Sequence, residues 1–177
     1  MKRLYNDQKP RLKNWDYSKP GQYFITIVSY NRHCLFGWIR NRKTELSELG
    51  KIVAEEWLKS FEMRTELFCD SWVIMPNHIH AIVHIDSQKK TGKIVELKNS
   101  QASISFRPPK SIPSFVAGFK AAATRRINLH RKTPGLKVWQ DRYYDHIIRD
   151  IPGYEKIRNY IENNPASWHD DIFHPFK

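Results

Sequence analysis

The sequence predicts an α+β fold, with one antiparallel sheet, two helices on a single face of that sheet, and a further C-terminal helix. Runs of aromatic and β-branched residues indicate strands, and apolar residues at helical spacing indicate amphipathic helices. These segments follow one another as strand, helix, strand, strand, helix, strand, helix. The βαββαβ order is typical of a ferredoxin-like or RRM-like sandwich.

The first half of the chain supplies a strand, a helix and a hairpin. Tyr23 to Tyr30 is rich in β-branched and aromatic residues, which predicts the first strand. Apolar residues at helical spacing predict a helix over Thr44 to Phe61. The apolar runs Glu66 to Met75 and His78 to Ile85 predict a β-hairpin, because Pro76-Asn77 between them is suited to a tight turn.

The second half supplies a helix, a strand and the C-terminal helix. Ser114 to Arg131 repeats the helical pattern, and Val138 to Ile148 (VWQDRYYDHII) predicts a fourth strand. Asp150 and Pro152 are suited to the N-cap and first turn of a third helix, which Pro165 ends.

One domain is expected over residues 1–177, because the sequence shows no repeat of roughly 20 to 50 residues. Residues 1–20 form a basic lead-in to this domain. Residues 86–113 are polar and contain RPPK, so we expect a long exposed loop there.

The chain carries 30 Lys and Arg against 18 Asp and Glu, a net charge of +12, and 13% of its residues are aromatic. Phosphates attract basic side chains and unpaired bases stack on aromatic rings, so this composition favours a nucleic-acid partner over charge that only aids solubility. Apolar runs are too short for a membrane span, and the N-terminus has no secretory signal. We therefore expect a cytoplasmic protein without a membrane partner.

The segment MPNHIHAIVHI holds a pair of histidines on one predicted strand. Side chains alternate across a strand, so His78 and His80 share one face while Ile79 points to the other. Two such imidazoles can share a divalent cation. The pair fits either a metal site or two exposed histidines on a sheet face. His84 lies farther along the same face, and we expect it to be structural.

The C-terminal helix carries two tyrosines in different positions. At 100° per residue, Tyr154, Ile157 and Ile161 form its core stripe. Tyr160 and Asn164 lie side by side at the edge of that stripe. Tyr154 is therefore expected to be a core aromatic residue, whereas Tyr160 is either a packing residue or a catalytic tyrosine.

Several segments together resemble a known family. MPNHIHAIV resembles the HUH motif of single-strand DNA endonucleases, and YIENNP resembles the helix that carries the nucleophile of single-tyrosine transposases. YFITIVSYNRHCLFG, GFKAAATRRIN, VWQDRYYDHIIRD and NYIENNPASW are similar to segments of the bacterial REP-associated tyrosine transposases. The resemblance runs from about Trp15 to Trp168, and residues 86–113 match poorly.

The resemblance implies a site and a reaction. It makes His78, His80 and the amide oxygen of Asn164 ligands of a Mg²⁺ or Mn²⁺ ion, and it makes Tyr160 the nucleophile. Insertion-sequence relatives carry glutamine at the position of Asn164, and both side chains supply an amide oxygen. The implied activity is cleavage and rejoining of single-stranded or hairpin DNA, with REP-like palindromes as substrate, through a 5′-phosphotyrosine intermediate. A monomer is favoured, with a dimer as the alternative because insertion-sequence relatives exchange tyrosine helices.

Two other functions compete with this one. The first is a catalytically inactive module that binds single-stranded nucleic acid on the same fold, which would not need the full set of site residues. The second is an RNA-binding RRM-like sheet, which the absence of an aromatic RNP signature disfavours.

Overall fold

The computed structural model describes residues 15–86 and 110–176 of the chain. The predicted lead-in over residues 1–20 and the predicted loop over residues 86–113 lie mostly outside this described part. The strands and α-helices of the described part are, in chain order, β1 (Gly21–Val28), β2 (Gly37–Arg40), β3 (Lys43–Leu46), α1 (Glu48–Glu62), β4 (Leu67–Met75), β5 (His78–Ile85), α2 (Ile112–Arg131), β6 (Tyr144–Ile148) and α3 (Ile151–Asn163).

The main sheet has four antiparallel strands in the order β4-β5-β1-β6. The first strand of the chain thus lies at the centre of the sheet, next to the second strand of the β4-β5 hairpin. This arrangement confirms the predicted α+β class with an antiparallel sheet. Strands β2 and β3 form a separate two-stranded hairpin. Among the described helices, none has the length and apolar character needed to cross a membrane.

The two faces of the sheet are covered by different helices. Alternate residues such as Ile25 and Ile79 face α1 and α2, and the other set, including Phe24 and Ile82, faces α3. Trp57 of α1 is fully buried at the centre of the first face. Its ring meets two phenylalanines of α2 edge to face, at centroid distances of 5.4 and 5.1 Å.

The predicted start of the first helix is wrong. The sequence pattern places it at Thr44, but Lys43–Leu46 is strand β3 and α1 begins at Glu48. Ser47 is the N-cap, and its hydroxyl accepts a hydrogen bond from the backbone N–H of Gly50. Leu46 packs against the core from the strand, which explains why its position also fits a helical pattern.

The predicted fourth strand is too long. Val138 and Trp139 are buried, as their apolar character suggests, but Trp139 forms only an isolated bridge with Ser29. Regular pairing with β1 covers Tyr144–Ile148 alone. The other predicted strands and helices are present with ends shifted by a few residues, and β5 has the predicted bounds.

Gly50 in α1 is a point of close approach between helix and hairpin. A Cβ atom there would lie 2.0 Å from the carbonyl oxygen of Phe36, which is backbone that cannot move aside easily. Gly118 in α2 offers a matched helical glycine, because the nearest atom to its Cβ would be a flexible Arg64 Nη2 at 3.8 Å.

We expect Gly50→Ala to lower the free energy of unfolding by about 1 to 3 kcal/mol, because the added methyl overpacks the contact. Gly118→Ala should raise it by about 0.5 to 1 kcal/mol, since alanine restricts the unfolded chain and is favoured in helices. Urea unfolding of the two variants measures both changes. Equal stability of the two variants would contradict the close approach at Gly50.

Candidate active site

His78 and His80 lie on the face of β5 that turns toward α3, and both are fully buried. Their Nε2 atoms are 3.0 Å apart. The sequence-based alternative of two exposed histidines is therefore wrong. The rings are covered by Tyr160 of α3, whose centroid is 5.1 Å from that of His80, and by Phe173, whose centroid is 4.8 Å from that of His78.

Burial determines the charge state of this pair. Desolvation of the imidazolium, together with the smaller effect of the nearby Arg32 charge, lowers the pKa of His78 to about 3. The pKa of His80 is also lowered well below its usual value, chiefly by burial and then by His78. Both rings are thus neutral near pH 7, and two bare nitrogen lone pairs at this distance repel unless a proton or a cation lies between them.

Asn77 determines which nitrogen of His78 carries the hydrogen. The Asn77 amide is fully buried, and its Nδ2 donates to the carbonyl oxygens of Arg32 at 2.9 Å and of Phe173 at 2.7 Å. Both amide hydrogens are thereby used, so Asn77 Oδ1 acts as an acceptor for His78 Nδ1 at 2.8 Å. His78 therefore carries its hydrogen on Nδ1 and presents a free lone pair on Nε2.

The hydrogen-bond partner of His80 Nδ1 is a hydroxyl group. Its Nδ1 is 2.7 Å from the hydroxyl oxygen of Thr26, which pairs with it across β1 and β5. A hydroxyl either donates or accepts, so Thr26 supports both neutral tautomers of His80. With a cation at Nε2, His80 Nδ1–H would donate to Thr26. Without one, Thr26 would donate to Nδ1, and His80 Nε2–H would donate to His78.

Tyr160 and Asp171 lie beside the histidines. The Tyr160 hydroxyl oxygen is 3.2 Å from His80 Nε2, and the hydroxyl donates to the Asp171 carboxylate at 3.3 Å. Burial raises the pKa of Tyr160 well above its usual value, and the negative charge of Asp171 adds to this rise. The phenol therefore keeps its proton at neutral pH and needs an acceptor before it can attack an electrophile.

Asn164, the last predicted site residue, lies next to Asp171. It is the C-cap of α3 and only 2% exposed. Its Nδ2 donates to Asp171 at 3.1 Å, while its Oδ1 is buried without a hydrogen-bond partner among the described residues. A buried amide oxygen without a partner is costly, and it fits a ligand for a hard cation.

Three ligand-type side chains meet in this place. One ligand atom each of His78, His80 and Asp171 lies within 4.8 Å of the others, and all three residues are buried. These atoms form a mixed nitrogen and oxygen set that suits a divalent cation, and Asn164 lies beside the set through its hydrogen bond to Asp171.

Comparisons with known proteins agree with the sequence resemblance. No protein-family model matches the chain. An uncharacterised protein of Haemophilus influenzae is 37% identical over 169 residues, covering 95% of this chain and 93% of its own, so the two belong to one family. A putative REP-associated tyrosine transposase of the same organism is 22% identical over 152 residues, which is 85% of this chain and 73% of that protein.

A solved structure supplies the fold comparison. A REP-associated tyrosine transposase bound to a REP hairpin superposes with a TM-score of 0.58, at 20% identity, over 87% of this chain and 72% of its own. The chain has the fold of a REP-associated tyrosine transposase. The resemblance to these transposases found in the sequence is therefore confirmed.

Two residues of the candidate site could not be identified from the sequence. Asp171 follows a 3₁₀ turn (Pro165–Asp170), and nothing in the Asp170-Asp171 pair indicates which carboxylate turns inward. Asn77 is predicted only as a turn residue. The sequence signal for both is weak, because irregular segments have no periodicity from which a side-chain direction follows.

Tyr154 and His84 form a second cluster on the same sheet face. The half-buried Tyr154 packs beside Ile157 as expected, but its hydroxyl donates to the Asp70 carboxylate. Asp70 sits at a β-bulge in β4, which turns its side chain toward α3. His84 contacts the rings of Phe68 and Tyr154, and its Nε2 has no hydrogen-bond partner among the described residues, which a purely structural role does not explain.

We expect Asn77→Asp to lower the free energy of unfolding by about 2 to 5 kcal/mol. The substitution preserves shape but replaces two donated hydrogen bonds with a carboxylate that faces two carbonyl oxygens. Asn159→Asp, on the exposed side of α3, is the matched control and should change stability by less than about 0.5 kcal/mol. Chemical denaturation in the presence of EDTA compares the two, and a near-neutral Asn77→Asp would refute the assigned orientation of the amide.

Proposed function

We propose that this protein is a metal-dependent single-stranded DNA endonuclease and strand transferase that recognises REP-like palindromic hairpins. The observation that carries the proposal is that four residues named from the sequence lie in one cluster. His78, His80 and Tyr160 are neighbours, and Asn164 is linked to Tyr160 through Asp171. The Tyr160 hydroxyl lies 3.2 Å from His80 Nε2. The fold supports the proposal, since a solved transposase of this fold is bound to a REP hairpin.

A Mg²⁺ or Mn²⁺ ion would be held by His78 Nε2, His80 Nε2 and Asn164 Oδ1, with an Asp171 oxygen nearby. When bound, such an ion polarises the scissile phosphate and stabilises the charge that develops on it. The protein prepares the site by burying both imidazoles in neutral form, and Asn77 directs the His78 lone pair into it.

Tyr160 is the nucleophile in this proposal. Its hydroxyl oxygen attacks phosphorus, and its proton passes to the Asp171 carboxylate, to which it already donates. The bond from phosphorus to the 3′ oxygen breaks, and that oxygen leaves as a hydroxyl by taking one proton from solvent, which balances the proton that Tyr160 gave to Asp171. The 5′ end stays attached to Tyr160 as a phosphotyrosine. Rejoining is the reverse reaction and requires no nucleotide cofactor.

All of the proposed site residues lie close together in a single chain. Tyr160 on α3 meets the histidines of β5 in the same polypeptide. This geometry supports the predicted monomer with its nucleophile supplied in cis. The dimer with exchanged helices and the cytoplasmic location stay predictions.

Metal binding should raise the free energy of unfolding of the protein. At an Mn²⁺ concentration of 100 times Kd, the free energy of unfolding of the wild-type protein should rise by about 2.7 kcal/mol, because only the folded chain presents the ligands together. His78→Ala and His80→Ala should abolish this increment, and Asn164→Ala should reduce it. His84→Ala, on the same strand but outside the site, should retain it. Thermal unfolding with Mn²⁺ and with EDTA provides the measurement, and an undiminished increment in His80→Ala would exclude the proposed site.

Tyr160→Phe should abolish covalent attachment to DNA and leave binding intact. The change removes one oxygen whose hydrogen bonds are long, at 3.2 and 3.3 Å, so the fold should be nearly unaffected. Tyr154→Phe, six residues earlier on the same helix, should still form the adduct. The assay incubates protein and Mn²⁺ with single-stranded REP-like palindromes and detects the adduct by denaturing gel and mass spectrometry.

Three results separate the possibilities in this assay. An adduct on Tyr160 that is absent from Tyr160→Phe supports the nuclease. An adduct on a different tyrosine shows that the nucleophile is misassigned. Hairpin binding without any adduct in the wild-type protein favours the inactive binding module.

A further inference from the structure

A series of aromatic rings leads from the candidate site to the protein surface. The ring centroid of Trp168 is 6.0 Å from that of His78, that of His174 is 4.9 Å from Trp168, and that of Phe176 is 5.8 Å from His174. Exposure rises along the series, from the fully buried His78 through the half-buried Trp168 and His174 to Phe176, which is 91% exposed. Neighbouring rings in this series are thus within the range of aromatic contact.

The backbone beneath the outer rings is fixed by residues of the site itself. Phe173 is fully buried against His78, and its carbonyl oxygen accepts a hydrogen bond from Asn77. Its N–H donates to the Asp171 carboxylate at 2.7 Å, and Arg32 donates to the Ile172 carbonyl at 3.1 Å. The segment that carries Trp168, His174 and Phe176 is therefore held in a defined position next to the histidines.

Phe176, the outermost ring of the series, is almost fully exposed although it is apolar. A phenylalanine ring that is almost fully exposed contributes little to the stability of the fold, because hydrophobic stabilisation scales with the apolar area removed from water. Flat aromatic faces in series match the faces of unpaired nucleobases, which stack on such rings without regard to sequence. Arg32 beside this segment and the net charge of +12 favour the phosphates of the same strand.

We propose that Trp168, His174 and Phe176 form a base-stacking platform that holds unpaired nucleotides of the DNA beside the scissile phosphate. This inference rests on the proposed function and adds to it a subsite for bases, separate from the metal and the nucleophile. The platform holds the strand by its bases while the histidine site receives the phosphate. It therefore determines where along a single strand the reactive phosphate lies.

The test compares two fluorescent oligonucleotides of equal length and charge, one an oligothymidylate and the other a chain of abasic sites. Phe176→Ala and Trp168→Ala should weaken oligothymidylate binding by about 5- to 100-fold, which is the range expected for the loss of one stacked base. Binding of the abasic chain should change by less than about twofold, since its phosphates are unchanged. Fluorescence anisotropy at one fixed salt concentration measures both affinities.

Two controls make the result specific. Trp38→Ala removes a tryptophan that is 49% exposed on the separate β2-β3 hairpin, and it should leave both affinities unchanged. Trp168→Phe retains a flat ring and should recover most of the oligothymidylate affinity. Phe176→Ala carries little folding risk because the side chain is exposed, and it should keep the stabilisation by Mn²⁺ seen in the wild-type protein.

Failure of the platform is distinguishable from failure of the proposed function. If Phe176→Ala and Trp168→Ala both bind oligothymidylate as tightly as the wild-type protein does, the platform is refuted. That result would not contradict the proposed nuclease function. An equal loss for the abasic chain would also overturn the platform, because stacking would not be the cause. A wild-type protein that binds neither oligothymidylate nor REP hairpins would refute the proposed function itself.

Discussion

His78 and His80 meet nitrogen to nitrogen, with Nε2 atoms 3.0 Å apart in a part of the sheet that no water reaches. Burying two polar rings in this way costs free energy unless each polar atom has a partner. Asn77 and Thr26 are the hydrogen-bond partners of the two Nδ1 atoms. The two Nε2 atoms, which face each other, therefore also need a partner. A hydrogen bond from His80 Nε2–H to the His78 Nε2 lone pair satisfies this need in the metal-free protein, and a cation bound to both lone pairs satisfies it as well.

The rest of the site follows from that constraint. Helix α3 covers the imidazoles, and because Tyr160 and Asn164 are one turn apart, one helix face brings a hydroxyl and an amide oxygen to the same place. Asp171 then joins the two by accepting from both side chains. The opposite face of the sheet, centred on Trp57, carries the main hydrophobic core. The candidate site residues therefore lie on one face of the sheet, and most of the hydrophobic core lies on the other.

Periodicity explains what could be predicted from the sequence. Strand alternation predicts that His78 and His80 share a face, and the 100° helical step predicts that Tyr160 and Asn164 lie side by side. Neither pattern predicts that the histidines are fully buried, since burial depends on the segment after α3 that folds back over them. Asp171 and its neighbours lie in that irregular segment, where no period specifies side-chain direction.

The same reasoning explains the errors in the fold. Leu46 packs inward from strand β3, and its spacing from the residues of α1 imitates a helical repeat. Trp139 is buried beside Phe36, which gives its segment the composition of a strand although it forms only one bridge. Tertiary packing thus determines element type in short apolar segments, where composition alone is ambiguous.

The most direct test of the account is anomalous X-ray diffraction from crystals of the protein equilibrated with Mn²⁺. We predict one strong anomalous peak in the pocket, bonded to the Nε2 atoms of His78 and His80 and to Oδ1 of Asn164. Crystals of the His80→Ala variant, equilibrated with Mn²⁺ in the same way, should lack the peak. Absence of a peak at saturating Mn²⁺, or a peak that contacts surface carboxylates only, would contradict the claim that this histidine pair is built to hold a cation.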